Sequence, residues 1–216
     1  AKQVFAGRLE VYLGMEVDYI PGVASPREPA IRALGLDYVI GSVHFLCPVD
    51  GAWDWTVDGS AAELAHGIAR CYAGSARRMA EAYYARVAEM VLRAGPDVVG
   101  HFDLLKKHNR KGDLFSEDET WYRGAALSAL EAVARSGSIL EVNTGGVVRG
   151  TSGALYPSPW ILREALALGV PVLVTADAHR PEHIDGHFAE TVALLRDIGF
   201  RTQRQLTPRG WVDTPL

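Results

Sequence analysis

The residues best placed to do chemistry stand where apolar runs end. Asp177-Ala178-His179 follows the run Val170 to Ala176. Three other apolar segments finish the same way: Val11 to Asp18 carries Glu16, Tyr38 to Phe45 carries His44, and Val98 to Asp103 carries His101. In a β/α barrel the strand C-termini form the mouth at which ligands are held. Asp177 and His179 are i and i+2, so on an extended segment they face one side. Each residue alone has a plain explanation, as a paired strand-end acid or a hydrogen-bonded core histidine. Four strand ends carrying the same kinds of group are harder to explain as packing. Imidazole and carboxylate without thiolate suit Zn, Mn or Fe in hydrolytic sites, where ions a few ångströms apart acidify a shared water.

These groups need strands to carry them, and the pattern supplies them. Strands are expected over Leu9–Asp18, Asp37–Leu46, Asp97–Leu104, Ser138–Thr144, Val170–Ala176 and Phe200–Leu206. Helices are expected over Glu28–Leu34, Ala61–Arg93, Phe115–Arg135, Ser158–Leu168 and Ala189–Ile198. Gly35, Gly95-Pro96 and Gly169 act as stops, Pro159 can open its helix, and Ser116 with Glu119 is spaced as a capping box. Strands alternating with helices predict parallel βαβ units. Pro48 to Ser60, with Trp53 and Trp55, reads as a long loop over the mouth, its tryptophans packing the loop down. No linker or repeat divides the chain, so residues 1–216 read as one α/β domain.

Composition narrows the function. The 216 residues are 48% apolar, enough for a sizeable core. Lys+Arg 22 against Asp+Glu 26 leaves a net charge of -4, which argues against a nucleic-acid binder. No apolar run approaches a membrane span. Cys47 and Cys71 form no disulfide framework, which points to a reducing compartment, the cytoplasm.

Gly14-Met15-Glu16-Val17-Asp18, Gly41-Ser42-Val43-His44-Phe45, Gly100-His101-Phe102-Asp103-Leu104 and Asp177-Ala178-His179-Arg180-Pro181 resemble the ordered motifs of the polymerase-and-histidinol-phosphatase (PHP) superfamily. Glu141-Val142-Asn143-Thr144 and the segment Tyr156 to Leu162 resemble its monofunctional histidinol-phosphate phosphatase branch. The resemblance implies a distorted (β/α)7 TIM-like barrel with up to three divalent ions (Zn, Fe or Mn) at the strand C-termini. It implies metal ligation by Glu16, His44, His101, Asp177 and His179, with Glu16 bridging two ions, and a catalytic role for Glu16, His101 and Asp177. Family members begin with a His-x-His strand and two further histidines that have no counterpart here. The first two βα units, roughly 50 residues at ordinary element lengths, are thus expected ahead of Ala1.

A phosphate ester calls for cationic or hydrogen-bonding groups at the same end. Lys106, Arg149 and Asn143 are the candidates, with Lys107 beside them. His183 and His187 match no ligand position, and His66 reads as structural. The implied activity is metal-dependent hydrolysis of L-histidinol phosphate, a small-molecule phosphomonoester, in histidine biosynthesis. Two other readings stay open: a PHP-type phosphoesterase for a different small phosphate ester, and a degenerate, non-catalytic metal-binding domain.

Overall fold

The computed structural model describes residues 2–216. Five parallel strands form the main sheet in chain order: β1 (Gly14–Asp18), β2 (Tyr38–Ser42), β3 (Val98–Val99), β4 (Ile139–Asn143) and β5 (Val172–Thr175). β1 and β5 are its two ends among the described residues. Every residue of β4 is buried, as a strand covered on both faces requires.

Helices return the chain between strands: α1 (Pro29–Arg32), α2 (Ala61–Tyr72), α3 (Ala76–Ala94), α4 (Thr120–Ser136), α5 (Gly145–Val148), α6 (Pro159–Ala167) and α7 (Phe188–Ile198). α3 packs on β2 and α4, α4 on α6, α6 on α7, and α7 on β5, so the layer is continuous along the sheet. Between layers lies an aromatic core. Tyr84 and Tyr122 share a hydroxyl–hydroxyl bond of 2.8 Å, and Phe115 stacks on Tyr122 with centroids 4.9 Å apart.

Three expectations are revised. The helix expected over Ala61–Arg93 is two, because Ala73 and Gly74 adopt positive φ and Ser75 caps a new start, its hydroxyl accepting from the Arg78 N–H. The strand expected over Phe200–Leu206 is not another parallel member. It forms β6 (Thr202–Thr207), paired antiparallel with β7 (Gly210–Pro215), because Pro208-Arg209 between them makes a tight turn that only a hairpin accommodates. Cys47 and Cys71, expected to be unpaired, form a disulfide with Cα atoms 6.7 Å apart. Their separation of 24 residues shows no framework, but the loop after β2 folds back on α2 and brings them together. Trp55 holds that fold: its indole donates to the Cys47 carbonyl at 3.0 Å, and its ring covers Gly67, where a Cβ would lie 2.3 Å from it.

No helix among the described residues is long and apolar enough to cross a membrane.

Candidate metal and phosphate site

The strand register places the chemistry. His44, His101 and Asp177 each stand two residues past the last residue of β2, β3 and β5. Glu16 lies inside β1, opposite Ile40. All four, with His179, line one cavity of about 350 Å³ at the C-terminal edge of the sheet.

Glu16, His44 and His101 come closest, with one ligand atom from each within 4.8 Å of the others. Glu16 Oε1 is 2.9 Å from His101 Nε2 and 3.8 Å from His44 Nε2. His44 Nδ1 meets Asp18 Oδ1 at 2.5 Å, which fixes the ring and turns Nε2 toward Glu16. A carboxylate behind an imidazole is the usual outer support of a metal-ligating histidine. Oxygen and nitrogen donors this close, oriented from behind, fit a divalent ion of the Zn, Mn or Fe kind.

His101 is held by its backbone. Its φ is +22°, uncommon for a residue with a Cβ. Its N–H donates to Glu141 Oε2 at 2.6 Å. Gly100 before it allows close approach to β2: a Cβ there would lie 2.4 Å from Ser42 Oγ. Glu141, almost fully buried, also accepts from the Thr175 hydroxyl at 2.7 Å and the Asn143 amide at 3.2 Å. One carboxylate thereby fastens the ends of β3, β4 and β5 together.

The charges reinforce each other. Burial pulls the His101 imidazole down, but the Glu16 hydrogen bond and the carboxylates of Glu141, Glu16 and Asp177 outweigh it and lift it to about 9. Partial burial pushes the Glu16 carboxyl up, but the His101 bond and charge, the Ser42 hydroxyl and His44 outweigh it and draw it to about 2. The Glu16 side chain is 41% exposed, so solvent screens much of this coupling.

The substrate candidates separate. Arg149 lines the cavity, and its guanidinium donates to the Asp177 carbonyl and, at 2.8 Å, to Asp177 Oδ2. Gly145 permits this: a Cβ there would lie 2.7 Å from the guanidinium. Asn143 reaches the cavity wall, but its amide donates to Glu141 and its carbonyl oxygen accepts from the Gly145 N–H at 2.8 Å. It positions its neighbours. Lys106 does not line the cavity. It is buried, with Nζ 2.7 Å from Asp103 Oδ2 and 2.5 Å from Ser158 Oγ, over the Tyr156 ring. The first turn after His101 is a short 3-10 helix, Leu104–Lys106, which points this lysine inward and leaves Lys107 on the wall.

Asp58 and Thr151 also line the cavity though no sequence motif marks them, and so does Tyr156, which opens the segment resembling the phosphatase branch. Among the described residues the buried Tyr156 hydroxyl has no hydrogen-bond partner. The signal for Asp58 was its place just before the Ser60–Glu63 capping box, where a long loop returns to the mouth. Burial pushes the Asp58 carboxyl up, but His44 and Lys107 outweigh it and hold it below the usual carboxylate range.

A sequence profile described as PHP domain matches residues 1–145, which hold Glu16, His44 and His101. The chain belongs to the PHP domain family. As a PHP chain it has relatives named for one reaction. It is 38% identical over 202 residues to a Deinococcus radiodurans protein assigned as a histidinol-phosphatase, covering 93% of this chain and 70% of that one. It is 29% identical over 186 residues to the Bacillus subtilis histidinol-phosphatase, covering 83% and 67%. The PHP fold is shared with the crystal structure of a Listeria monocytogenes protein assigned as the histidinol phosphatase hisK, at TM-score 0.75 and 24% identity over 88% of this chain and 71% of that one. A Lactococcus lactis histidinol phosphate phosphatase, solved with zinc, L-histidinol and phosphate, matches at TM-score 0.64 and 18% identity over 98% and 75%.

A second cavity, of about 950 Å³, lies between the segment leading into β1, the β2 residues Tyr38 and Ile40, the β5 residues Leu173 and Thr175, and the β6–β7 hairpin. Leu9, Tyr12, Tyr38, Ile40, Leu173 and Trp211 make it largely apolar, and no imidazole reaches it. Its size does not make it the site of chemistry, because the grouped donors are all in the smaller one.

Proposed function

We propose that this chain carries the active site of a metal-dependent phosphomonoesterase that hydrolyses L-histidinol phosphate to L-histidinol and phosphate. One observation carries the reading. The donor group Glu16, His44 and His101 shares a cavity with Arg149 and Lys107, in a PHP chain 38% identical to a protein assigned as a histidinol-phosphatase.

Glu16, His44 and His101 would hold a divalent ion, with Asp177 and His179 as further ligands on the same wall. Such an ion supplies Lewis acidity and lowers the pKa of water. The chain's own groups do the rest. Arg149 has five N–H donors; those not on Asp177 are free for the equatorial oxygens of a phosphate ester. Lys107 adds a second positive charge. Charge that develops on those oxygens is met by donors already in place. Asp18 keeps the His44 ring from rotating away, and Glu141 holds His101 in place through its backbone N–H.

The proposal extends to a closed (β/α)7 barrel within one domain, with two βα units between β1 and β5. The two open sheet ends, the apolar cavity beside β5 and the segment leading into β1, and the greater length of the relatives support this. Those units would bring the remaining histidines for up to three ions. The reading takes a small phosphate ester as the partner and keeps the cytoplasm as the compartment on the biosynthetic role of that substrate alone, since the Cys47–Cys71 disulfide removes the argument from unpaired cysteines.

The test is phosphate release from L-histidinol phosphate by protein loaded with Zn or Mn, against the same protein treated with a chelator. Metal-dependent release supports the proposal. Metal binding without release from any phosphomonoester would overturn it in favour of a non-catalytic metal-binding domain.

A further inference from the structure

Asp58 is a third carboxylate on the wall of the cavity that holds Arg149 and Lys107, besides Glu16 and Asp177, which are assigned above to the metal. Among the described residues Asp58 belongs to no group of three ligand atoms within 4.8 Å of one another, so the close donor cluster does not use it. Its place is built. Val57, fully buried, donates its N–H to the His44 carbonyl at 2.9 Å. Lys107 Nζ donates to the Asp58 carbonyl at 2.5 Å, and His108 Nε2 meets the Gly59 carbonyl at 2.6 Å. The backbone on both sides of Asp58 is thus tied to the segments that carry His44 and Lys107. The side chain is 29% exposed, and its carboxylate stands 3.5 Å from Lys107 Nζ, whose shorter contact is to the backbone.

A fixed negative charge beside a site for a phosphate dianion weakens binding of the anion at this range. Lys107 offsets part of that charge, and a ligand that brings a positive charge of its own offsets the rest. A phosphate ester of an amino alcohol does so, with an ammonium a few bonds from the phosphorus. Arg149 and Lys107 then face the phosphate, and Asp58 faces the amine.

We infer that Asp58 is a specificity-determining residue that receives the substrate's ammonium, selecting phosphate monoesters of amino alcohols over esters that lack the amine. The inference rests on the phosphomonoesterase reading above. The competing role for Asp58 is to position Lys107 alone, which would serve all phosphate esters equally.

The experiment compares the metal-loaded protein with D58N on L-histidinol phosphate and on the same ester without its amino group. A buried polar site rejects a ligand lacking its partner group by several decades. For a partly exposed carboxylate the expected loss is about 10- to 100-fold, mostly in KM. D58N should lose this much on the aminated ester and stay within about twofold on the deaminated one, while D58E retains part of the preference. An equal fall on both esters, or none on either, overturns the inference. If the unaltered protein releases phosphate but shows no preference for the amine, the inference fails while the phosphatase reading stands. If it releases none, that reading fails, and calorimetric titration with L-histidinol decides on Asp58. Binding weakened about tenfold or more in D58N supports the role; equal binding overturns it. Should D58N fail to fold, as judged by circular dichroism, D58E is compared with the unaltered protein on the same two esters: a lowered amine preference at unchanged deaminated turnover supports the inference, and equal changes on both overturn it.

Discussion

Removing the charge behind His44 should loosen the proposed metal without touching a ligand. Asp18 Oδ1 lies 2.5 Å from His44 Nδ1, and their side chains are 35% and 20% exposed. A charge-assisted hydrogen bond contributes about 1.5–3 kcal/mol when shielded; with this much solvent access about 1–2 kcal/mol is expected. The Asp18→Asn variant keeps the shape but removes the charge and lets the imidazole take other orientations. At about 1.4 kcal/mol per decade, metal affinity should fall roughly 5- to 30-fold, at the lower end of the range for outer-shell partners. Competition for Zn against a chromophoric chelator measures it directly. Thermal unfolding of the metal-free variant should be nearly unchanged, because the pair sits at the rim. Unaltered zinc affinity would refute the claim that Asp18 orients a ligand, and a large loss of metal-free stability would show that its role is in folding.

Four further outcomes follow from the same geometry. Arg149→Ala should lower kcat/KM on phosphate esters by about one to two decades with the metal load unchanged in elemental analysis; full activity removes Arg149 from the site. Gly145→Ala pushes a Cβ into the Arg149 guanidinium, so it should reproduce part of that loss with little change in helix content by circular dichroism. Glu141→Gln replaces a buried carboxylate acceptor of three hydrogen bonds and should destabilise the fold by about 2–3 kcal/mol, read as a lowered denaturation midpoint; a midpoint like that of the unaltered protein contradicts its fastening role. In the metal-free protein the Glu16–His101 pair has a definite pH window. His101 is raised from 6.5 to about 9, so its contribution is complete below about 6.5 and is lost as pH rises through about 9. Glu16 is lowered from 4.5 to about 2, so its contribution is present above about 4.5 and lost as pH falls through about 2. Stability should therefore peak between these limits, and metal affinity should climb with pH up to about 9 as the ion no longer displaces the His101 proton.

The main elements were legible because apolar periodicity and glycine stops are local signals. So were Glu16, His44, His101, Asp177 and His179 as neighbours, since parallel strands deliver their C-terminal ends to one edge. What stayed hidden depended on tertiary geometry. Lys106 and Lys107 are adjacent and chemically alike, and only the 3-10 turn decides that Lys106 meets Asp103 inside the fold. Asp58 is brought to the mouth by a return of the loop that depends on Trp55 covering Gly67. The Cys47–Cys71 pair depends on the same return. The hairpin of β6 and β7 was missed because a single short segment, Phe200–Leu206, gives no sign of whether its partner is parallel or follows at once.

The most direct measurement is anomalous diffraction at the zinc edge from crystals grown with zinc and phosphate. A zinc peak about 2.0–2.2 Å from Glu16 Oε1, His44 Nε2 and His101 Nε2 is expected, with the phosphate within hydrogen-bond reach of Arg149. Zinc bound elsewhere, with these three side chains in the arrangement described above and no phosphate at Arg149, would contradict the assignment of this cavity as the active site.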